Sequence, residues 1–411
     1  MPIAEHLSST ALDLTWVRSQ FPSLAQTVNG HSAVFLDGPG GTQVPQRVID
    51  AIADYLATNN ANSGGAYPTS RNTDRMIAEA RAAMGDFLNC DADEIVIGPN
   101  MTTLTFAVSR ALGRGFGPGD EIVLTLLDHD ANFSPWKALE EEGVIVRAVN
   151  FDPADCTLDM DDLARKITSH TRLVAAGYAS NAVGTINDVA EVVRLARQAG
   201  ALSYIDAVHY GPHGAIDVRA LDCDYLVCSG YKVFAPHMGF AWCRREAINR
   251  LPTFREDFIP DVTPDKLEAG TYAYENVAGM DAAVGYLEDL GRVFLDRRAG
   301  ASRGEAIHQA MFAIAEYERT LSTQLLDEVA TISSVTVHGV TARAAPDIAA
   351  GLAARDIGVR SGHMYSPRLM ARLGLSAAGA VRASLAHYNT AAEIARFGAA
   401  LREVIDNRHE S

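Results

Sequence analysis

The chain has 411 residues, 48% of them hydrophobic, with a formal net charge of −16. That apolar content suits a large packed core, and the length suits about two to three domains. The acidic balance argues against nucleic acid or an anionic membrane as partner, and no apolar run reaches the ~18 residues of a membrane span. The start, Met1-Pro-Ile-Ala-Glu-His, lacks the basic and apolar regions of a secretory signal. Five scattered cysteines suit a reducing cytoplasm, and Cys223 and Cys228 read as core residues rather than a metal pair.

Residues 1–30 read as helix and then loop, with a break at Phe21-Pro22. Val34 to Asp37 is a short predicted strand entering the glycine turn Gly38-Pro-Gly-Gly41, where backbone could approach a ligand. Val44 to about Asn60 has helical spacing. Asn59 to Arg71 is polar and aperiodic and reads as a surface loop, and Asp74 to about Phe87 is helical again. Strands and helices then alternate. The strands are Glu94–Gly98, Glu121–Leu127, Gly143–Val149, Leu173–Ala179, Leu202–Ile205, Tyr225–Cys228 and Gly239–Cys243. The helices between them are Thr102–Leu112, Pro135–Glu141, Met160–Ile167 and Val189–Gln198. Apolar strands without alternation, separated by helices, predict a mostly parallel sheet covered on both faces, in an α/β architecture.

Past about Gly291 the pattern changes. A long Arg/Glu-rich helix is expected over Ala299–Val329 and a strand over Ser334–Gly339. A helix over Asp347–Arg355 and a glycine-containing loop over Ser361–Pro367 follow. A strand over Ala380–Ala386 and a closing helix over Ala391–Ile405 complete the chain. The expected division is an N-terminal segment 1–30 packing on the small domain, a large domain 31–290 and a smaller α+β domain 291–411.

Only four lysines occur: Lys137, Lys166, Lys232 and Lys266. In a chain this rich in arginine, a retained lysine draws notice. Lys137 lies beside acidic residues on a helix, and Lys166 and Lys266 sit among polar residues. Lys232 alone precedes an apolar run, Val233-Phe-Ala235, at a turn with Ser229 and Tyr231. A buried lysine loses its charge easily, and the neutral amine is a nucleophile that forms Schiff bases. An ordinary snorkelling lysine is the competing reading.

Polar groups gather at the carboxyl ends of the predicted strands, where α/β sheets build their sites. One end leads through Asn100 to Met101, Thr102 and Thr103 at a helix start, an arrangement suited to phosphate or simply to a cap. Others deliver Asp128-His129-Asp-Ala-Asn132, Ser180-Asn181, then Asp206 with His209 and His213, and finally Ser229, Tyr231 and Lys232. A phosphate cradle, a buried carboxylate, an aromatic stacker and a reactive lysine together are what pyridoxal 5'-phosphate chemistry requires. A metal hydrolase built on His129, Asp130, Asp206, His209 and His213 is a competing reading, weakened by Gly211-Pro212, which opposes a helix joining the two histidines. A non-catalytic scaffold is the other.

At these residues the sequence resembles the cysteine desulfurase-like group of class V aminotransferases, whose members are pyridoxal phosphate-dependent enzymes of fold type I. Asp206-Ala-Val-His209 looks like the family's Asp-x-x-Gln/His motif, and Ser229-Gly-Tyr-Lys232 like its Ser-x-His-Lys motif. Asp128-His129-Asp-Ala-Asn132 is similar to Glu-His-x-Ala, which makes His129 the ring stacker. Ser180-Asn181-x-x-Gly184 matches the stretch whose Asn lies near the ring hydroxyl. Glu268-Ala-Gly-Thr271 resembles the segment by which one subunit of a homodimer reaches the phosphate in the other. Val381-Arg382-Ala-Ser-Leu385 resembles the strand whose arginine holds the substrate carboxylate. The resemblance thus implies Lys232, Asp206 and His129 as catalytic residues. It implies Met101, Thr102, Asn181, His209, Ser229, Tyr231 and Thr271 as cofactor contacts. Arg382, Asn181, Tyr365 and His363 would meet the amino-acid substrate.

Two departures bear on the reaction. Tyr231 and His209 stand where the family has His and Gln, and both keep a hydrogen-bonding group. Arg360-Ser-Gly-His363-Met-Tyr365 resembles the desulfurase loop Arg-x-Gly-His-x-Cys, with Tyr365 at the sulfur-accepting position, and no cysteine follows Cys243. A persulfide needs a thiolate there. The expectation is β-elimination of the C–S lyase type, with class V transamination or epimerisation as alternatives. Tyr365 reads equally as a site acid or a wall.

Overall fold

The computed structural model describes residues 12–294, 300–333, 335–336, 340–341 and 345–406. Within them lies a seven-stranded sheet. Its strands are β1 (Ile95–Gly98), β2 (Glu121–Thr125), β3 (Ile145–Val149), β4 (Thr171–Gly177), β5 (Leu202–Asp206), β6 (Tyr225–Ser229) and β7 (Gly239–Cys243). The spatial order is β1-β7-β6-β5-β4-β2-β3. β7 runs antiparallel to both neighbours, and the remaining pairs are parallel. β1, β2, β6 and β7 are buried along their whole length. Successive residues face opposite layers: Leu226 and Cys228 join one core cluster, Tyr225 and Val227 another. This is why the strands read as unbroken apolar runs.

Side-chain caps fix the helix starts that matter for the site. Asn100 accepts a bond from Thr103 N at 2.8 Å and opens the helix Met101–Gly113. Asp188 does the same for Val189–Gln198 through Glu191 N. Gly239 pairs with both Gly98 and Ser229, so the ends of β1 and β6 and the start of β7 share one edge.

A separate core cluster gathers Val34, Leu36, Leu321, Leu352, Ile357, Ile394, Phe397 and Leu401. The strand Val34–Phe35 therefore serves the C-terminal core, pairing in parallel with Ile357–Gly358. The first described helix, Leu14–Ser19, buries Val17 against the large cluster, while Arg18 donates to Tyr388 O at 2.6 Å and pairs with Glu393. Among the described residues no helix is long and apolar enough to cross a membrane. All five cysteines are free thiols.

Several sequence expectations shift. The loop predicted over 59–71 ends earlier, because a helix runs from Pro68 to Leu88 rather than from Asp74. Its first turns bury hydroxyls instead of apolar groups: Ser70 Oγ donates to Asn62 O, and Thr73 Oγ1 meets Tyr55 OH. That inward polar face hides the helical period. The strand expected over 380–386 stops at Arg382, and Arg360–Gly362, expected partly as loop, pairs with it antiparallel. A short helix, Pro367–Arg372, follows unannounced. The long helix begins at Arg303, and Ala299 lies outside the described residues, as do residues 1–11, Ser334 and 337–339 of other expectations.

Candidate active site

The carboxyl ends of β2, β4, β5 and β6 and the start of the helix Met101–Gly113 enclose a cavity of about 290 Å³. Met101, Thr102, His129, Asn181, Asp206, His209, Ser229, Tyr231, Lys232, Tyr365 and Arg382 all line it. Two expected residues do not. His363 is exposed beside it and accepts a bond from Tyr365 N. Thr271 is exposed on the rim of a second pocket, with Arg81, Glu268 and Tyr272. There Glu268 Oε1 accepts from Arg81 Nη1 at 2.7 Å and Ile97 N at 2.6 Å, tying the segment before Thr271 to β1.

Lys232 closes the turn Gly230–Lys232 at the end of β6. Its ammonium donates to Pro39 O and sits 4.4 Å from the Tyr231 ring centre. Burial pushes its pKa down to about 8, and the Arg382 guanidinium adds to this, while Asp37 and Asp206 oppose it. The turn is held firmly. Phe234, fully buried, adopts φ +65°, a costly conformation for a bulky side chain, and its N–H donates to Thr42 Oγ1.

Asp206 ends β5 and accepts from Val208 N at 2.9 Å; burial raises it to about 6. Asp128 lies close by, fixed by Gly177 N at 2.9 Å, Asn132 Nδ2 at 2.7 Å and the Thr125 hydroxyl. Burial raises it to about 7, and Asp206 adds repulsion. His129 is held at about 4 by burial, with Lys232 contributing. Its Nδ1 accepts from Ala131 N, so the neutral ring carries its proton on Nε2. His209 is pushed well below the usual imidazole value by burial and by His213, Arg382 and Lys232, and its Nδ1 has no partner.

Arg382 donates from Nη1 to Asn181 O at 2.8 Å and from Nη2 to Asp37 Oδ1 at 2.6 Å, leaving Nε unpartnered. Arg360 pairs with the other oxygen of Asp37 at 2.7 Å. One carboxylate thus aligns two guanidiniums brought together by the Arg360↔Arg382 strand register. Sequence reading passes over Asp37, which there is only the last residue of a strand; the signal was a lone acid before a glycine turn. Tyr365 and Met364 both have φ near +55°, on a turn tied down by Asn181 Nδ2 to Met364 O and Asp130 N to Tyr365 O. The Tyr365 ring lies 5.6 Å from that of His129, with half its surface exposed.

The residues fit pyridoxal phosphate. Gly239 has no room for a side chain, since a Cβ would lie 2.5 Å from Met101 N, so backbone closes tightly on the helix start where a phosphate would bind. The unpartnered Arg382 Nε is a buried polar group consistent with a ligand. Among the described residues no three His, Cys, Asp or Glu side chains form a metal-ligand group.

The family model for aminotransferase class-V matches residues 34–397. The chain belongs to that family. An aminotransferase-like protein of Gibberella zeae is 33% identical over 97% of this chain and 100% of its own length. A probable cysteine desulfurase of Synechocystis sp. is 32% identical over 95% of both. The solved cysteine desulfurase of Thermococcus onnurineus superposes with a TM-score of 0.84 at 25% identity, covering 97% of this chain and 99% of that one. Class-V enzymes of this kind depend on pyridoxal phosphate, so this is a pyridoxal phosphate-dependent enzyme of fold type I.

Proposed function

We propose that the protein carries out β-elimination on a cysteine-like amino acid, as a C–S lyase that forms no enzyme persulfide. The observation behind this is Tyr365. It lines the cavity, on a loop whose sequence resembles the desulfurase loop with Tyr365 at the cysteine position, and none of the five cysteines lines the cavity. Burial raises the thiols of Cys90, Cys156, Cys223, Cys228 and Cys243, which opposes thiolate formation.

When bound, the cofactor supplies an electron sink for charge developing at the substrate Cα. Lys232 Nζ would hold the cofactor and is placed to move the substrate Cα proton. Asp206 would pair with the ring nitrogen, His129 would stack on the ring, and His209 and Asn181 would stand by its hydroxyl; all four line the cavity. Met101, Thr102, Ser229 and Tyr231, on the same cavity wall, would hold the phosphate. Arg382 clamps the substrate carboxylate, oriented by Asp37, with His363 and Tyr365 at the mouth. The exposed apolar side chains Phe254, Phe258 and Val262, on the stretch before Thr271, support a homodimer in which Thr271 serves the other subunit's phosphate. The division into domains at about residue 290 and a cytoplasmic setting complete the reading.

A panel of amino acids tests it. Pyruvate with sulfide from cysteine is the expected outcome. A keto acid with amino-group transfer, or inverted stereochemistry, would replace elimination by transamination or epimerisation.

A further inference from the structure

Behind the cavity wall, the turn after β5 meets the long helix Arg303–Ala330 and the segment after Arg382. His213 Nδ1 lies 2.7 Å from Glu318 Oε2. The His213 ring stands edge-on to His209 at 5.2 Å. Beyond it, His387 Nε2 is 2.6 Å from the Tyr286 hydroxyl. Glu318 is a buried carboxylate on a helix, which is costly unless paired. Its Oε1, His209 Nδ1 and His387 Nδ1 are all buried without a hydrogen-bond partner. Nothing in the chemistry above uses Glu318 or His213.

Burial works against a charge on His213, yet the attraction and hydrogen bond of Glu318 outweigh it and raise its pKa. The groups facing His213 are Glu318 on the helix, His209 on its own turn and His387 on the C-terminal segment; Lys232 and Arg382 face His209 from the cavity. A proton on His209 Nδ1 would be a buried donor without an acceptor, and a doubly protonated ring would face a second cation. The single proton therefore belongs on Nε2.

We infer that Glu318 is a positioning residue: through His213 it holds the turn that carries His209, and keeps that imidazole neutral and in one tautomer toward the bound cofactor. This rests on the assignment of His209 to the cofactor made above.

The test combines histidine-selective NMR on the cofactor-free protein with titration by pyridoxal phosphate. In the native protein, His213 is expected to titrate above the ordinary imidazole range, and His209 to be a single Nε2-protonated tautomer. In Glu318→Gln, the His213 titration should move down, the turn no longer held should let His209 Nδ1 reach an acceptor so that its tautomers mix, and the cofactor dissociation constant should rise about tenfold. Glu318→Asp should restore the His209 signal. If Glu318→Gln does not fold, His213→Asn should give the same mixing. Lowered thermal stability with His209 signals and cofactor affinity unchanged would overturn the inference alone. A native protein that forms no adduct at Lys232 would instead overturn the cofactor assignment, and the inference with it.

Discussion

Lys232 should react with an aldehyde at a pH where other lysines are inert. Burial and then Arg382 bring its pKa from 10.5 to about 8. That difference is worth about 3 kcal/mol in favour of the neutral amine. At about pH 7.5 roughly a quarter of the Lys232 amines are neutral, against about one in a thousand for an exposed lysine. The sign carries into stability. The folded value lies below the unfolded one, so burying the charged amine opposes folding fully below about pH 8, and this opposition fades as the pH approaches 10.5. The assay is the rate of borohydride-trapped adduct formation between cofactor-free protein and pyridoxal phosphate, followed against pH. The rate should rise with a midpoint near 8 and level off, and Arg382→Gln should move the midpoint upward by removing the second cause of the shift. A rate that climbs without levelling as far as pH 10.5, or a midpoint unmoved in Arg382→Gln, would refute the electrostatic reasoning.

Asp37→Asn should leave Arg382 and Arg360 without their shared carboxylate. Loss of a charged hydrogen bond worth about 1.5–3 kcal/mol predicts a KM for the amino acid raised roughly 10- to 100-fold, with kcat little changed; equal falls in kcat and kcat/KM would contradict a carboxylate-aligning role. Gly239→Ala should place a methyl against the first turn of the helix Met101–Gly113 and weaken cofactor binding at least about tenfold, measured by loss of colour on dialysis. Native affinity in that variant would show that the close backbone approach has no part in holding the phosphate.

What was legible in the sequence followed from burial on both sides of the sheet. Unbroken runs such as Ile95-Val-Ile97 announce covered strands, and the polar residues that interrupt them mark the strand ends, so Asp206 and Lys232 fall on one edge in the sequence itself. What escaped depended on pairings distant in sequence. Asp37 gains its meaning from Arg360 and Arg382, more than 300 residues away. Glu318 looks like any solvent-facing acid on a polar helix, and only packing against His213 reveals it as buried. The start of the helix over Pro68–Leu88 is hidden in the sequence because Ser70 and Thr73 turn inward to satisfy loop carbonyls, reversing the usual polarity of a helix face.

The account stands on the amine of residue 232. Borohydride reduction of the protein with pyridoxal phosphate, followed by peptide mass spectrometry, is predicted to place one pyridoxyl group on Lys232 and none on Lys137, Lys166 or Lys266. A label on another lysine, or no label at all, would contradict it.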